Sequence, residues 1–109
     1  MNRKISKLLV ANRAEIALRI KRAADGLGIT SACVASEADR HQSYLKAFKD
    51  EVYILSEAAT SSAKDTYLKI PLIIRAARAL RCDAIHPGYG FLSENAGFVE
   101  AVEAVGLVF

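Results

Sequence analysis

Leu8-Leu9-Val10-Ala11, a helical stretch from Ala14 to Leu27, and Ile29-Thr30-Ser31-Ala32-Cys33-Val34-Ala35 follow one another with two residues before the helix and Gly28 after it. The first run is short and wholly apolar, the pattern of a strand buried on both faces of a parallel sheet. The period then changes. Ile16, Ile20, Ala23, Ala24 and Leu27 recur at helical spacing, with Arg19, Lys21, Arg22 and Asp25 on the other side. Gly28 falls where a glycine ends a helix, and the third run reads as a second strand. Strand, helix and strand within 28 residues make a βαβ unit, whose two strands run parallel because the helix carries the chain back across the sheet.

The same alternation continues downstream. Ser36-Glu37-Ala38-Asp39-Arg40 is polar and turn-like, and a short helix over Ser43 to Lys49 leads to a third strand, Glu51 to Leu55. A Ser/Ala/Thr loop, Ser56 to Lys64, precedes a helix with Asp65 or Thr66 as its expected cap. Ile70, Ile73, Ile74, Ala77 and Leu80 form the stripe of that helix, and Pro71 falls in its first turn, where a missing N–H costs little. Asp83 to His86 is a fourth strand. After Pro87-Gly88-Tyr89-Gly90-Phe91-Leu92, Ser93 is expected to cap a last helix with Phe98, Val99, Val102 and Val105 on its buried face. Gly106 stops it, and Leu107-Val108-Phe109 is expected to begin a fifth strand. Strands alternating with helices predict an α/β domain: a doubly wound, mainly parallel five-stranded sheet with helices on both faces.

Composition is consistent with one such unit. The 109 residues suit a single domain, and 52% hydrophobic content excludes a disordered tail. A net charge of +3 with no long run of one sign leaves no nucleic-acid footprint, so a solvated basic surface is the economical reading. Cys33 and Cys82 lie too far apart for a metal-ligand pattern and read as buried, reduced thiols. The apolar run after the charged N-terminus is too short for a signal peptide or a membrane span, which makes the cytoplasm the default. Stopping inside an apolar strand start, the chain reads as one piece of a longer protein.

Ligands of open α/β sheets bind beyond the carboxyl ends of the strands. Three loops lie there: Asn12-Arg13, Ser36 to Arg40, and Pro87 to Leu92. The first lacks the G-x-G-x-x-G of a dinucleotide site, and no P-loop occurs anywhere. Arg13 either binds an anion or pairs with an acid, pairing being favoured. Glu15 is accounted for by the helix dipole. In the third loop two glycines flank Tyr89, so the backbone turns sharply beneath an amphipathic ring. Residue chemistry alone favours packing of Tyr89 against a neighbouring domain over ligand contact, and His86 as a hydrogen-bonded structural residue over a titrating one. No catalytic set and no metal cluster emerge.

Two segments say more. Leu8-Leu9-Val10-Ala11-Asn12-Arg13-Ala14-Glu15-Ile16-Ala17-Leu18-Arg19-Ile20 resembles the opening of the biotin carboxylase family. Ala84-Ile85-His86-Pro87-Gly88-Tyr89-Gly90-Phe91-Leu92-Ser93-Glu94-Asn95-Ala96 is similar to its second signature. Ser36 to Arg40 and Tyr67-Leu68-Lys69-Ile70-Pro71 fall between them in the expected order. The resemblance implies a Rossmann-like, pre-ATP-grasp N-terminal domain spanning residues 1–109. Its parent would be an ATP-dependent ligase that activates bicarbonate as carboxyphosphate and carboxylates biotin on a carrier. ATP and Mg2+ would bind mainly in an ATP-grasp domain absent from this chain, leaving no catalytic residue and no bound cofactor here. Partners implied are the parent's own ATP-grasp and C-terminal domains, the biotin carboxyl carrier domain, a carboxyltransferase and a second copy of the parent, with no nucleic acid and no membrane.

Carried over by position, Tyr89 and Gly90 would line the biotin side of the pocket, and His86, Pro87 and Gly88 would shape the loop. Arg19 and Arg22 match positions at a dimer interface. Three departures stand out. The family usually has Gly where this chain has Ala14, which is harmless at an ordinary first helical residue and strained at a positive φ. A Gly-Pro-Ala-Pro stretch is replaced by the loop opening Ser56-Glu57-Ala58-Ala59-Thr60, and Gly26 stands where relatives often carry an acid. The alternative reading is a diverged, non-catalytic domain that docks a partner subunit.

Overall fold

Leu9 and Val10 point to opposite faces of one sheet, and that alternation organises the domain. The structure, a computed structural model, describes residues 4–55, 67–90 and 92–109. The loop expected at Ser56 to Lys64, the caps at Asp65 or Thr66, and Phe91 lie outside them.

Among the described residues four strands form the sheet: β1 (Lys7–Val10), β2 (Thr30–Ala35), β3 (Val52–Ile54) and β4 (Ala84–His86). Their order is β3-β2-β1-β4 and every pairing is parallel. Leu9 stands between Ala32 of β2 and Ile85 of β4. β1 is therefore central, with both edges bonded, and the strand order reverses beside it.

Among the described residues the helices are α1 (Ala14–Gly26), α2 (Ile70–Ala79) and α3 (Ala96–Ala104), with short 3-10 segments at Glu37–Asp39 and Ser43–Phe48. On one face Leu9, Val34, Ile73, Ile85, Phe98 and Val102 pack together beneath α2 and α3. On the other, Val10, Ala17, Cys33, Tyr44, Leu45 and Phe48 pack beneath α1 and the second 3-10 segment. Helices thus cover both faces, as the alternation predicts. Each fully buried Leu, Ile or Phe contributes about 1.5–3 kcal/mol relative to exposure. At the lower edge the Asp83 carboxylate accepts hydrogen bonds from Ser6 N (2.9 Å), Ser6 Oγ (2.8 Å) and Lys7 N (3.1 Å). Burial works to raise its pKa, but these bonds outweigh it and hold the carboxyl below its ordinary value.

Several expectations need correction. Among the described residues the sheet has four strands rather than five, because of Leu107-Val108-Phe109 only Val108 pairs, through one bridge to Ala84. Ala17 and Ala24 form the buried line of α1, their small side chains letting the helix lie close over β1 and β2. That rotation leaves Ala23 exposed, and Leu27 is 76% exposed at the helix end. Helix α2 begins at Ile70 behind Lys69, since Tyr67 is drawn into the core instead. Pro71 does fall in its first turn. Asn95, not Ser93, caps α3: its side chain accepts from Phe98 N, while Ser93 is used in a turn back to Gly90. Val105, expected inward, is exposed just past the end of α3.

Candidate functional site

At the carboxyl end of β1 the chain leaves the sheet at Asn12, which is 1% exposed. A buried side-chain amide must place two donors and an acceptor, and Asn12 places all three. Its Nδ2 donates to Pro87 O (2.8 Å) and Tyr89 O (2.7 Å), while Oδ1 accepts from Arg13 N (2.8 Å). The end of the central strand thereby holds the loop after β4.

That loop is built around two left-handed glycines, Gly88 (φ 70°) and Gly90 (φ 73°). A Cβ on Gly88 would sit 2.8 Å from Ile16 Cγ2 and 2.9 Å from Asn12 Nδ2, so the position admits glycine alone. Around Gly90 the same test meets nothing within 4 Å. His86 accepts from Gly88 N at its Nδ1 (3.0 Å), which fixes the proton on the far ring nitrogen whenever the ring is neutral. His86 is thus hydrogen-bonded within its own loop. Tyr89, at the loop tip, is 81% exposed and presents its ring to solvent.

Arg13 is paired, as favoured above. Its Nη2 lies 2.6 Å from Asp39 Oδ1, and Asp39 is 3% exposed at the end of β2. The second carboxylate oxygen accepts from Tyr67 Oη (2.9 Å), which in turn accepts from Ser36 N (3.2 Å). The guanidinium carbon stands 5.6 Å from the Tyr67 ring centroid, within cation–π range. Burial raises the Tyr67 pKa well above its ordinary value, so the phenol stays neutral and donates to Asp39. Burial likewise raises that of Tyr44, whose hydroxyl lies 3.5 Å from that of Tyr67.

A groove of about 780 Å³ is lined by Asn12, Arg13, Ala14 and Ile16 together with Leu68, Tyr89 and Gly90. It opens at the carboxyl ends of β1 and β4, the reversal point where α/β sheets take ligands. Of the residues expected to form a site, the structure brings Tyr89 and Gly90 to this groove. Pro87 and Gly88 support it from behind. His86 faces a separate groove of about 480 Å³ with Arg19 and Leu27. Arg19 and Arg22 lie away from the groove, exposed on α1, where Arg22 stands 3.6 Å from Glu15.

Ala14, the first residue of α1, has φ 52°. A left-handed alanine is strained by about 1–2 kcal/mol, which explains why glycine is the expected residue there. Asn12, Asp39, Tyr67 and Leu68 are contributors that sequence reasoning did not single out. For Asn12 a signal existed, a polar residue directly after an apolar strand. Tyr67 and Asp39 stand in two segments that carry the resemblance, but 28 residues separate them and nothing in the sequence pairs them.

Among the described residues no three His, Cys, Asp or Glu side chains gather as metal ligands. No described helix is long and apolar enough to cross a membrane.

Comparison with known proteins matches this geometry to one family. The family model described as "Biotin carboxylase, N-terminal domain" covers residues 4–109. The biotin carboxylase of Allochromatium vinosum is 49% identical over 109 residues, the whole of this chain and 23% of that protein. A pyruvate carboxylase from Rhizobium etli has a TM-score of 0.87 at 42% identity, with 96% of this chain and 10% of that one covered. The biotin carboxylase domain dimer of Hydrogenobacter thermophilus 2-oxoglutarate carboxylase, solved with MgADP, ADP and bicarbonate, has a TM-score of 0.84 at 38% identity, covering 97% and 22% of the two chains. The chain thus spans less than a quarter of the length of these relatives. With residues 4–109 matched, it belongs to the biotin carboxylase N-terminal domain family.

Proposed function

We propose that this chain is the N-terminal domain of an ATP-dependent ligase that carboxylates carrier-linked biotin with bicarbonate through carboxyphosphate. Its own part is to form one wall of the biotin pocket. The observation that carries this reading is the groove at the β1/β4 reversal, where Tyr89 and Gly90 stand on a loop anchored from behind by buried hydrogen bonds. Tyr89 offers a flat amphipathic ring, and the open space where a Cβ on Gly90 would stand lets a ligand approach the backbone.

ATP, Mg2+ and the carboxyphosphate chemistry belong to the ATP-grasp domain of the parent, and this chain alone is inactive. The parent's other partners are its C-terminal domain, the biotin carrier and a carboxyltransferase, and it acts in the cytoplasm. Arg19, Ala23 and Leu27 stand four residues apart along one exposed line of α1, with Arg22 beside it. Such a line supports Arg19 and Arg22 as part of a two-fold contact in the parent, with exposed Leu27 as apolar surface to cover and the arginines facing an acidic patch on the other copy.

A coupled ATPase assay with bicarbonate and free biotin, on this chain and on the full carboxylase, tests the reading. Biotin-dependent turnover in the full enzyme alone is expected, with Tyr89→Ala raising the apparent KM for biotin. An unchanged KM removes Tyr89 from the site. No turnover in either protein, both folded by circular dichroism, favours a subunit-docking module instead.

A further inference from the structure

We infer that Asn12 is the positioning residue of the biotin pocket, holding Tyr89 and Gly90 in place from the end of β1. The inference rests on the function proposed above and adds to it a groove-lining residue that acts by holding the loop. Its basis is the convergence of two loop carbonyls on one buried nitrogen. Pro87 O and Tyr89 O lie 2.8 and 2.7 Å from Asn12 Nδ2, in a loop whose backbone turns away from the sheet at Gly88 and Gly90. Two carbonyls aimed at one point need two donors from one atom, and a side-chain amide nitrogen supplies them.

The amide has one allowed orientation. Oδ1 accepts from Arg13 N at 2.8 Å, so a flipped amide would set N–H against N–H and oxygen against two carbonyls. The anchor itself is rigid, because β1 is bonded to β2 and β4 along its length and Ala11 N still donates to His86 O at 2.9 Å. Gly88 completes the device: without a Cβ the loop approaches Asn12 Nδ2 closely enough for both bonds. The height of Tyr89 over the groove is therefore set by the central strand.

Asn12→Asp keeps the shape of the side chain and replaces both donors with oxygen, which repels the two carbonyls. In the full carboxylase, hydrogen exchange read by mass spectrometry is expected to lose protection over residues 86–95, with peptides from β1 and β2 unchanged. The apparent KM for biotin is expected to rise about ten-fold or more, as a misplaced binding surface requires, with that for ATP unchanged. Asn12→Ser, smaller and a single donor, gives an intermediate result and serves as the second variant where the Asp variant does not fold. Unchanged protection in both variants overturns the inference, and so does lost protection with an unchanged KM. Global unfolding of both also overturns it, since Asn12 then supports the core rather than the loop. A wild-type carboxylase without biotin-dependent turnover sinks the functional reading, while the exchange measurement still decides whether Asn12 holds the loop.

Discussion

Arg13 and Asp39, 26 residues apart in sequence, meet at 2.6 Å and join the ends of β1 and β2 above the sheet. The two partners are unequally buried: the Arg13 side chain is 33% exposed, that of Asp39 only 4%. Removing the arginine strands a buried carboxylate, while removing the carboxylate's charge leaves a guanidinium that still reaches water. Arg13→Met is expected to cost about 3 kcal/mol and Asp39→Asn about 1 kcal/mol, read as the difference in urea midpoint at constant slope. Equal costs would mean that the pair is worth no more than a surface contact.

Tyr67 makes stability depend on alkaline pH. Burial places its folded pKa above the ordinary value of 10.0, so the unfolded chain releases the proton first. That stabilisation is complete below pH 10 and is lost as pH rises from there. Cys33 and Cys82 act in the same direction, pushed by burial from 9.0 up to about 12 and about 11, which brings the onset down to pH 9. Urea melts from pH 8 to 11 should show falling stability, with a shallower fall for Tyr67→Phe. A slope identical to wild type would remove Tyr67 as a contributor.

Ala14 carries strain that a glycine would relieve. At φ 52° its Cβ crowds the backbone, and Ala14→Gly is expected to stabilise the domain by up to about 1 kcal/mol, the gain in the unfolded chain's freedom offsetting part of the relief. Thermal melts should show a rise of about 4 °C. A fall in melting temperature would show that the helix start is unstrained.

The two loop glycines separate two reasons for being glycine. Gly90→Ala meets only the conformational penalty, about 1 kcal/mol, because its Cβ would enter open space. Gly88→Ala adds a collision with Ile16 and Asn12, for a total of about 3 kcal/mol. Equal melting temperatures for the two variants would contradict the packing of Gly88 against α1.

The parallel βαβ unit was readable from residues 8–35 because apolar runs and helical spacing are local. What the pattern missed was set by tertiary contacts. Leu27 and Ala23 satisfy the period of α1, yet the small pair Ala17 and Ala24 decides which line meets the sheet. Ser93 has the chemistry of a cap, but the turn through Gly90 uses it and passes the role to Asn95. The Pro87–Gly90 loop announced itself through its two glycines. Its anchor did not, because nothing in a strand of apolar residues ending in asparagine points to a carbonyl 75 residues away.

That separation has a consequence for how the domain is made. The βαβ unit of β1, α1 and β2 closes early and locally, but the bonds from Asn12 to Pro87 and Tyr89 span 75 and 77 residues. On a ribosome, the groove cannot exist until β4 has emerged and paired with a strand synthesised long before. Long-range parallel pairing of this kind is a slow step in folding. Until it happens, Asn12 keeps its donors on water, and one open edge of β1 waits beside a half-built pocket. The pocket is thus acquired only once β4 has joined the sheet, and its presence certifies that β1 has gained both neighbours.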